Sequence, residues 1–432
     1  MTRRSQVTGF LLLVCGAVLF VAGGAWIAHS NSLRYLDFKA LYYGTRCALS
    51  GCDPYNPVQL DGFFLVNGGA QHGDSPAIRN VVTRFVNFPT ALLLCMPFAV
   101  LPWTLAHILW TVLTCTVYSL ACFLIWTSCT TRAPILSAAL ISLLLGTSQT
   151  IFAGGNAVGL VVGLTCIAAW CFIRGRCGSA GAFCLALALL LKPHDAGVVW
   201  LFFVIAGGVW RKRALQTLAF AAVAASAALV WAGHFAPNWP REQRDNLVAI
   251  STHGGMNSPS PGASVDRSAG MLVNLQSVLA VVDDTPAFYN CTTYALCAAL
   301  LLLWACRCSR VQWTENEAWF ALAAVVPIGL LVVYHKPYDV KLLLLAIPAC
   351  ILLWSEKNLR GQFACLLTLG AVFCTADIPL AVYVALTDAA NPDLHTLAGK
   401  LLAIVVLRPV SLILVALVTF YLNNFLHTRS SA

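Results

Sequence analysis

Apolar residues run through this chain in stretches of roughly twenty, long enough to cross a bilayer core of about 30 Å as helices. Spans are predicted near 9–28, 104–126, 135–152, 157–173, 178–192, 196–210, 214–233, 286–306, 317–334, 339–354, 363–386 and 409–425. One apolar segment resists this reading. Phe88 to Pro102 holds only about 14 residues before its last prolines and carries Pro89, Pro97 and Pro102. That is too short and too broken for an ordinary span, so we read it as a re-entrant or juxtamembrane segment.

The polar positions between the spans set an orientation. With the N-terminus in the cytoplasm, the inner loops carry Arg132, Arg174 and Arg176, Arg211-Lys212-Arg213, Arg307 and Arg310, Lys357 and Arg360, and Arg429. Short basic inner loops are what the positive-inside rule expects. Counting Phe88–Pro102 as a span would invert every later loop. The N-terminal Met1-Thr-Arg-Arg followed by Gly9 to Ala28 resembles a signal peptide, but the run is long and lacks a small-x-small cleavage site, so it is read as a retained span.

The outer side then holds two long loops, His29 to Trp103 and His234 to Pro286, and shorter ones containing Gly154-Gly155-Asn156, Lys192-Pro193-His194-Asp195, Tyr334 to Asp339 and Asp388 to His395. Residues 1–432 form a single integral membrane domain, with 29–103 as its first outer loop and 234–286 as its second. The fold class expected is an all-α polytopic membrane protein of about twelve helices.

Composition agrees. Hydrophobic residues make up 59% of the chain and charged residues 10%, with a mean hydropathy of +0.79, whereas a soluble domain carries about a quarter charged residues. The net charge of +9 is scattered over short loops and forms no basic stripe, which argues against nucleic acid as a partner. Most of the 18 cysteines sit in apolar runs, as small hydrophobes. No metal-ligand spacing appears, and the site is expected to need neither metal nor cofactor. Cys47 and Cys52 differ: they flank a polar turn and would bridge if that loop faces an oxidising compartment.

The ionisable and aromatic residues converge on the outer side. Asp37 stands about nine residues past the first span, between Tyr35 and Phe38, and is followed by Tyr42, Tyr43 and the turn Gly51-Cys52-Asp53-Pro54-Tyr55. A carboxylate at a membrane surface can serve as a general base; the competing reading is a helix cap or an ion pair with Arg34 or Lys39. Asp53 reads first as a turn cap, with a second reading, shared with Tyr42, Tyr43 and Tyr55, in acceptor binding. Lys192, His194, His335, Lys336 and Tyr338 occupy two loop tips, where phosphate binding competes with snorkelling. In the second long loop Arg267 could hold a phosphate bidentately and Asn257 an acceptor. The competing reading is a flexible Gly/Ser/Pro-rich linker. Asp377, before Ile378-Pro379, is expected at a helix break, and Arg408-Pro409 is a second intramembrane charge.

The ordered pieces Asp37-Phe38, Tyr42-Tyr43, Gly51-x-Asp53-Pro54-Tyr55, Asn87-Phe88-Pro89, Leu101-Pro102, Trp110, Gly155-Asn156, Leu191-Lys192-Pro193 and Asn257-Ser258 resemble the polytopic GT-C glycosyltransferases, most closely glycosyltransferase family 87. The resemblance implies a GT-C-type fold and Asp37 as catalytic base. It further implies inverting transfer of a hexose, mannose above all, from a polyprenyl-phosphate donor to a glycolipid or glycan acceptor. The expected setting is the outer face of a bacterial plasma membrane with both termini cytoplasmic. The chain departs from the family pattern at Phe88-Pro89, where Pro-Pro is commoner, and at Gly155-Asn156, where Gly-Gln is.

Three rival readings remain from the sequence, one of them a non-catalytic membrane scaffold, against which the titratable residues gathered on one face argue. A transporter would also suit twelve spans, but major-facilitator carriers show two related halves joined by a long inner loop. A surface-polysaccharide polymerase or ligase would centre on a large late outer loop.

Overall fold

The computed structural model describes residues 3–30, 34–69, 76–252, 255, 257–261, 272–387 and 393–427, and among them it contains helices and no strands. The chain opens with α1 (Arg3–Ser30), followed by a run of short helices: α2 (Leu36–Leu49), α3 (Pro57–Phe64), α4 (Pro76–Thr83) and α5 (Pro89–Ala99). Next come α6 (Trp103–Cys129), α7 (Pro134–Gly146), α8 (Gln149–Gly154), α9 (Val158–Ile173), α10 (Gly178–Leu191) and α11 (Pro193–Ala206). The second half holds α12 (Gly208–Phe235), α13 (Trp239–Ser251), α14 (Leu275–Val282), α15 (Pro286–Cys308) and α16 (Glu315–Val332). A 3-10 helix, Asp339–Ala346, leads into α17 (Ile347–Ser355), α18 (Leu359–Cys374), α19 (Asp377–Thr387), α20 (Leu397–Leu407) and α21 (Pro409–His427).

Among the described residues, seven helical segments are long and apolar enough to cross a membrane: α1, α6, α7 with α8, α12, α15, α16 and α21. Others among the twelve expected spans are shorter or broken. The expected span 363–386 divides at Thr375-Ala376 into α18 and α19, so Asp377 does open a helix after a break. The expected 339–354 begins as a 3-10 helix. α20 was not expected at all. The Phe88–Pro102 segment folds as the 11-residue α5, with Pro89 in its first turn, where the missing N–H costs nothing.

Large apolar side chains on α1, α6, α12 and α15, such as Phe10, Trp26, Leu109, Val223 and Leu302, face outward, as suits surfaces turned to lipid. α16 is the buried axis, packed against α21, α11 and the 3-10 helix. On α1, Gly9, Gly16 and Gly23 recur every seven residues and face α7 and α8. A Cβ at Gly16 would stand 2.8 Å from the Ser142 backbone. Small residues allow this close approach, the main attraction available to helices in lipid. Gly16→Leu is expected to destabilise the protein by about 1–3 kcal/mol, read as a lower melting temperature in detergent; an unchanged melt would refute the contact.

A second core lies beside the bundle, built from α2, α4, α5 and the start of α6 around Phe38, Tyr42, Tyr55, Phe85, Leu92 and Trp110. α13 closes onto it: Asn246 Nδ2 donates to the carbonyls of Tyr55 and Phe85, and Gln243 to that of Val86. Cys47 and Cys52 are joined by a disulfide.

The ends of the bundle are chemically distinct. At the start of α16, Glu315 pairs with Arg174 at 3.0 Å and Asn316 accepts from Arg132. At its end lies His335. The 18 residues of α16 span about 27 Å at 1.5 Å per residue. α9 likewise runs from Asn156 to the neighbour of Arg174. The basic loops and the polar cluster described next are thus about one hydrocarbon thickness apart.

Candidate active site

Asp37 is set by three local decisions of the chain. Tyr35 adopts a left-handed conformation (φ 55°, ψ 26°), a strained state for a residue with a side chain. It turns the chain sharply from the α1 region into α2, and the backbone pays for the turn by donating from Tyr35 N to Ala153 O at 2.6 Å. Phe38 then anchors the first turn of α2 between Trp103 and Trp110, with ring centroids 5.6 and 4.9 Å away. Finally Gly155, itself left-handed at φ 63°, brings the end of α8 so close that a Cβ there would meet Phe38 Cβ at 2.8 Å. Trp110 Nε1 fixes the same turn by donating to Gly155 O.

The result places the Asp37 carboxylate against Asn156, whose Nδ2 donates to Oδ2 at 2.8 Å. Asn156 is itself oriented, because its Oδ1 accepts from Val158 N. Desolvation raises the pKa of Asp37; the Asn156 hydrogen bond and the charges of Lys336 and Lys192 oppose that rise without cancelling it. Those two lysines therefore share the electrostatic neighbourhood of Asp37. So do Tyr334 and Tyr338, and Asn257 lies beside the Tyr334 side chain. Five of the expected residues, Asp37, Lys192, Asn257, Lys336 and Tyr338, thus gather at one place, from four separate parts of the chain.

Next to Asp37 lies a buried ion network. Lys192 Nζ contacts Asp195 Oδ2 at 3.0 Å and also Asp339 Oδ1, and stands 5.7 Å from the centre of the Tyr338 ring. Asp339 Oδ2 accepts from Lys336 N at 2.7 Å. His335 Nε2 is 2.9 Å from Asp195 Oδ1, and its Nδ1 faces the carbonyls of Leu330 and Val333 at 3.1 and 3.0 Å. The carbonyls place a proton on Nδ1, and the Asp195 carboxylate beside Nε2 favours the imidazolium form. Burial works against that charge, but the hydrogen bond and charge of Asp195, with the charge of Asp339, outweigh it and raise the pKa. Lys192 is held charged in the same way, burial being outweighed by the two carboxylates. His194 is the exposed member. Partial desolvation lowers its pKa more than Asp195 raises it, so it is neutral near pH 7.

The expectation of Lys192 as a phosphate contact is corrected in part: two carboxylates already neutralise it, so its role includes structural pairing. His194, Asp195 and His335 also offer ligand atoms within 4.8 Å of one another, a set that could hold a cation. The Lys192 ammonium on the same carboxylate and the hydrogen-bond length of the His335–Asp195 contact favour ion pairing there.

Other expected residues lie elsewhere. Tyr42 donates to Leu101 O, Tyr55 donates to Asn87 O, and Tyr43 stacks on Trp103; all three are buried in the second core. This corrects their reading as acceptor contacts: the aromatic cluster hides them under α5, α6 and α13. Asp53 caps its turn by accepting from Tyr55 N, as the first reading had it. Arg267 lies outside the described residues. The sequence marks Asn156 only as part of the Gly155-Asn156 piece that opens a span, and Tyr334 only as a loop residue; neither is assigned a site role there.

Asp53 also meets Glu242 of α13. Partial burial, then the hydrogen bond and charge of Asp53 with the charge of Asp245, push the Glu242 carboxyl up to about 7. A raised carboxyl pKa means the folded state holds the proton more tightly, so the stabilising contribution is present at low pH and lost as pH rises through about 7. Exchange of the α13 amides, corrected for intrinsic rate, is expected to quicken between pH 4.5 and about 7. Glu242→Gln should abolish that step, and equal protection at both pH values in the wild type would refute it.

A helical bundle with a buried carboxylate and cations gathered at one end is an arrangement suited to a membrane-embedded group-transfer enzyme. The sequence profile of glycosyltransferase family 87 matches residues 85–334, more than half of the chain, and the protein belongs to that family. It is therefore an integral membrane glycosyltransferase. Asp37 precedes the matched segment and His335 follows it, so both rest on geometry. No curated protein and no solved structure matches the chain.

Proposed function

We propose that the protein moves a hexose, mannose in the first instance, from a polyprenyl-phosphate donor to a glycolipid or glycan acceptor, with inversion at the anomeric carbon. The observation that carries this reading is the Asp37 carboxylate, held by Asn156 and within electrostatic reach of Lys336 and Lys192. The Asp37 carboxylate takes the proton of the acceptor hydroxyl. The acceptor oxygen bonds to the anomeric carbon as the bond to the phosphate oxygen breaks on the opposite face. The lipid phosphate leaves with the electron pair, and cations are the groups to stabilise it. Lys336, with His335 and Lys192 behind it, supplies that charge; His194, Tyr338 and Asn257 border the sugar, and the GT-C relationship supports the arrangement. Asp195 and Asp339 are taken up by Lys192 and His335, which favours single displacement with Asp37 as the base over a carboxylate nucleophile.

The basic loops at the far end of α9 and α16 support an outer location for the site under the positive-inside rule, and the Cys47–Cys52 disulfide fits an oxidising side. Nucleotide sugars are absent there, which favours a lipid-borne donor in a bacterial plasma membrane with both termini cytoplasmic.

The test is transfer of labelled hexose into membrane lipids by proteoliposomes. Polyprenyl-phosphate mannose, polyprenyl-phosphate glucose and a mannose nucleotide are offered separately. Transfer from the lipid-phosphate mannose is expected. Transfer from the nucleotide alone would overturn the donor class.

A further inference from the structure

α7 and α8 are one membrane segment broken at Thr147-Ser148, and the break is held by two ionisable residues from the distant end of the chain, buried Lys341 and half-buried Asp377. Asp377 caps α8: Thr150 N donates to Oδ2 at 2.6 Å and Thr150 Oγ1 to Oδ1 at 2.9 Å. The Asp377 backbone N–H donates to Thr147 O at 3.1 Å. Lys341, fully buried, donates from Nζ to Thr147 O at 3.2 Å and to Thr375 O at 2.7 Å, tying the break in α7–α8 to the break before α19. Ionisable groups at membrane depth are expensive and are kept where they have a task.

The other end of α8 is the Asp37 site. Its Ala153 carbonyl receives Tyr35 N, and a Cβ on Gly154 would stand 3.2 Å from Asp37 Oδ2. Asn156 follows one residue beyond. Six residues of helix, about 9 Å, separate the Asp377 cap from the Asp37 carboxylate. A rotation or slide of so short a helix carries Asn156 with it.

We infer that Asp377, with Lys341, is a positioning residue for transfer: it sets the axial position of α8 and through it the Asn156–Asp37 hydrogen bond. This rests on Asp37 being the base. It touches no reacting atom, so its loss should act on turnover and on the basicity of Asp37, not on donor affinity.

The experiment uses the full chain in proteoliposomes with polyprenyl-phosphate mannose, comparing Asp377→Ala, Asp377→Asn, Thr150→Val, Asn156→Ala and the double variant Asp377→Ala/Asn156→Ala. Asp377→Ala should lower kcat by roughly tenfold to a hundredfold, as expected for small misplacement of a catalytic group, with KM for the donor unchanged. The acid limb of its pH–rate profile should move to higher pH, because the Asn156 bond that favours the Asp37 carboxylate is weakened; Lys336, Lys192, Tyr334 and Tyr338 still face that carboxylate. Asp377→Asn, which keeps an acceptor for Thr150, should recover part of the rate. The double variant should be no slower than Asn156→Ala. Additive losses, an unmoved acid limb, or a rise in KM alone would overturn the inference. If Asp377→Ala does not fold, Thr150→Val answers the same question by removing one arm of the cap. Asp37→Asn is assayed alongside: full activity there would sink the base itself, a failure distinct from an inert Asp377.

Discussion

Asp37→Asn is expected to cut transfer from polyprenyl-phosphate mannose by about 10²- to 10⁴-fold, the usual contribution of a general base, while the protein keeps its melting temperature. Asparagine has the same shape, and its side-chain oxygen can still accept from Asn156 Nδ2, the contact that holds the wild-type carboxylate at 2.8 Å. What it loses is basicity. The wild-type pH–rate profile carries the matching sign. Desolvation raises the Asp37 pKa beyond what the Asn156 bond and the lysines pull back, so activity should fall as pH drops through a value above the ordinary carboxylate range. Initial rates at saturating donor, with size-exclusion profiles of both proteins, measure this. A folded Asp37→Asn protein that transfers at the wild-type rate would remove Asp37 from the mechanism.

The position of Asp37 was legible because it depends on local spacing: a carboxylate a few residues past an apolar run, ahead of an aromatic helix. The two loop tips were legible as polar interruptions between spans. Their mutual contacts were not. Lys192 meets Asp339 across 147 positions, and that pairing exists only because α11 packs along α16, a fact of tertiary packing that hydropathy does not carry. Tyr42, Tyr43 and Tyr55 were misread for a related reason. An aromatic run beside a membrane helix suits sugar stacking and core packing equally, and the deciding elements, α5 and α13, come from far along the chain. The breaks at Thr147-Ser148 and Thr375-Ala376 hide inside runs of high hydropathy, since breaking a helix costs little when Asp377 and Lys341 satisfy the freed backbone groups. α20 escaped notice because 11 residues are too few for a span.

The buried ion network predicts the other large effect. Asp195→Ala should destabilise the protein by about 3–5 kcal/mol, the cost of leaving a buried charge without its partner. Asp195 is 1% exposed, and its two oxygens serve two cations, Lys192 at 3.0 Å and His335 at 2.9 Å. Lys192 would retain Asp339, but His335 would face only a cavity, with no group left to hold a proton on Nε2. Its pKa should then drop, because burial already opposes the charge and Asp195 supplies most of what outweighs it. That gives a second, independent readout. In the wild type the raised His335 pKa contributes stability that is fully present below the pKa of an unfolded histidine and is lost as pH rises through the folded value. Asp195→Asn keeps the volume, loses the charge, and should flatten this dependence. Melting temperatures in detergent between pH 5 and 9 are therefore expected to differ most between wild type and Asp195→Asn at the acid end, the gap narrowing toward the alkaline end to what the Lys192–Asp195 pair alone contributes. Parallel curves would mean that His335 is neutral throughout and that the imidazolium reading is wrong; a wild-type melting curve for Asp195→Ala would mean that the network carries no stability.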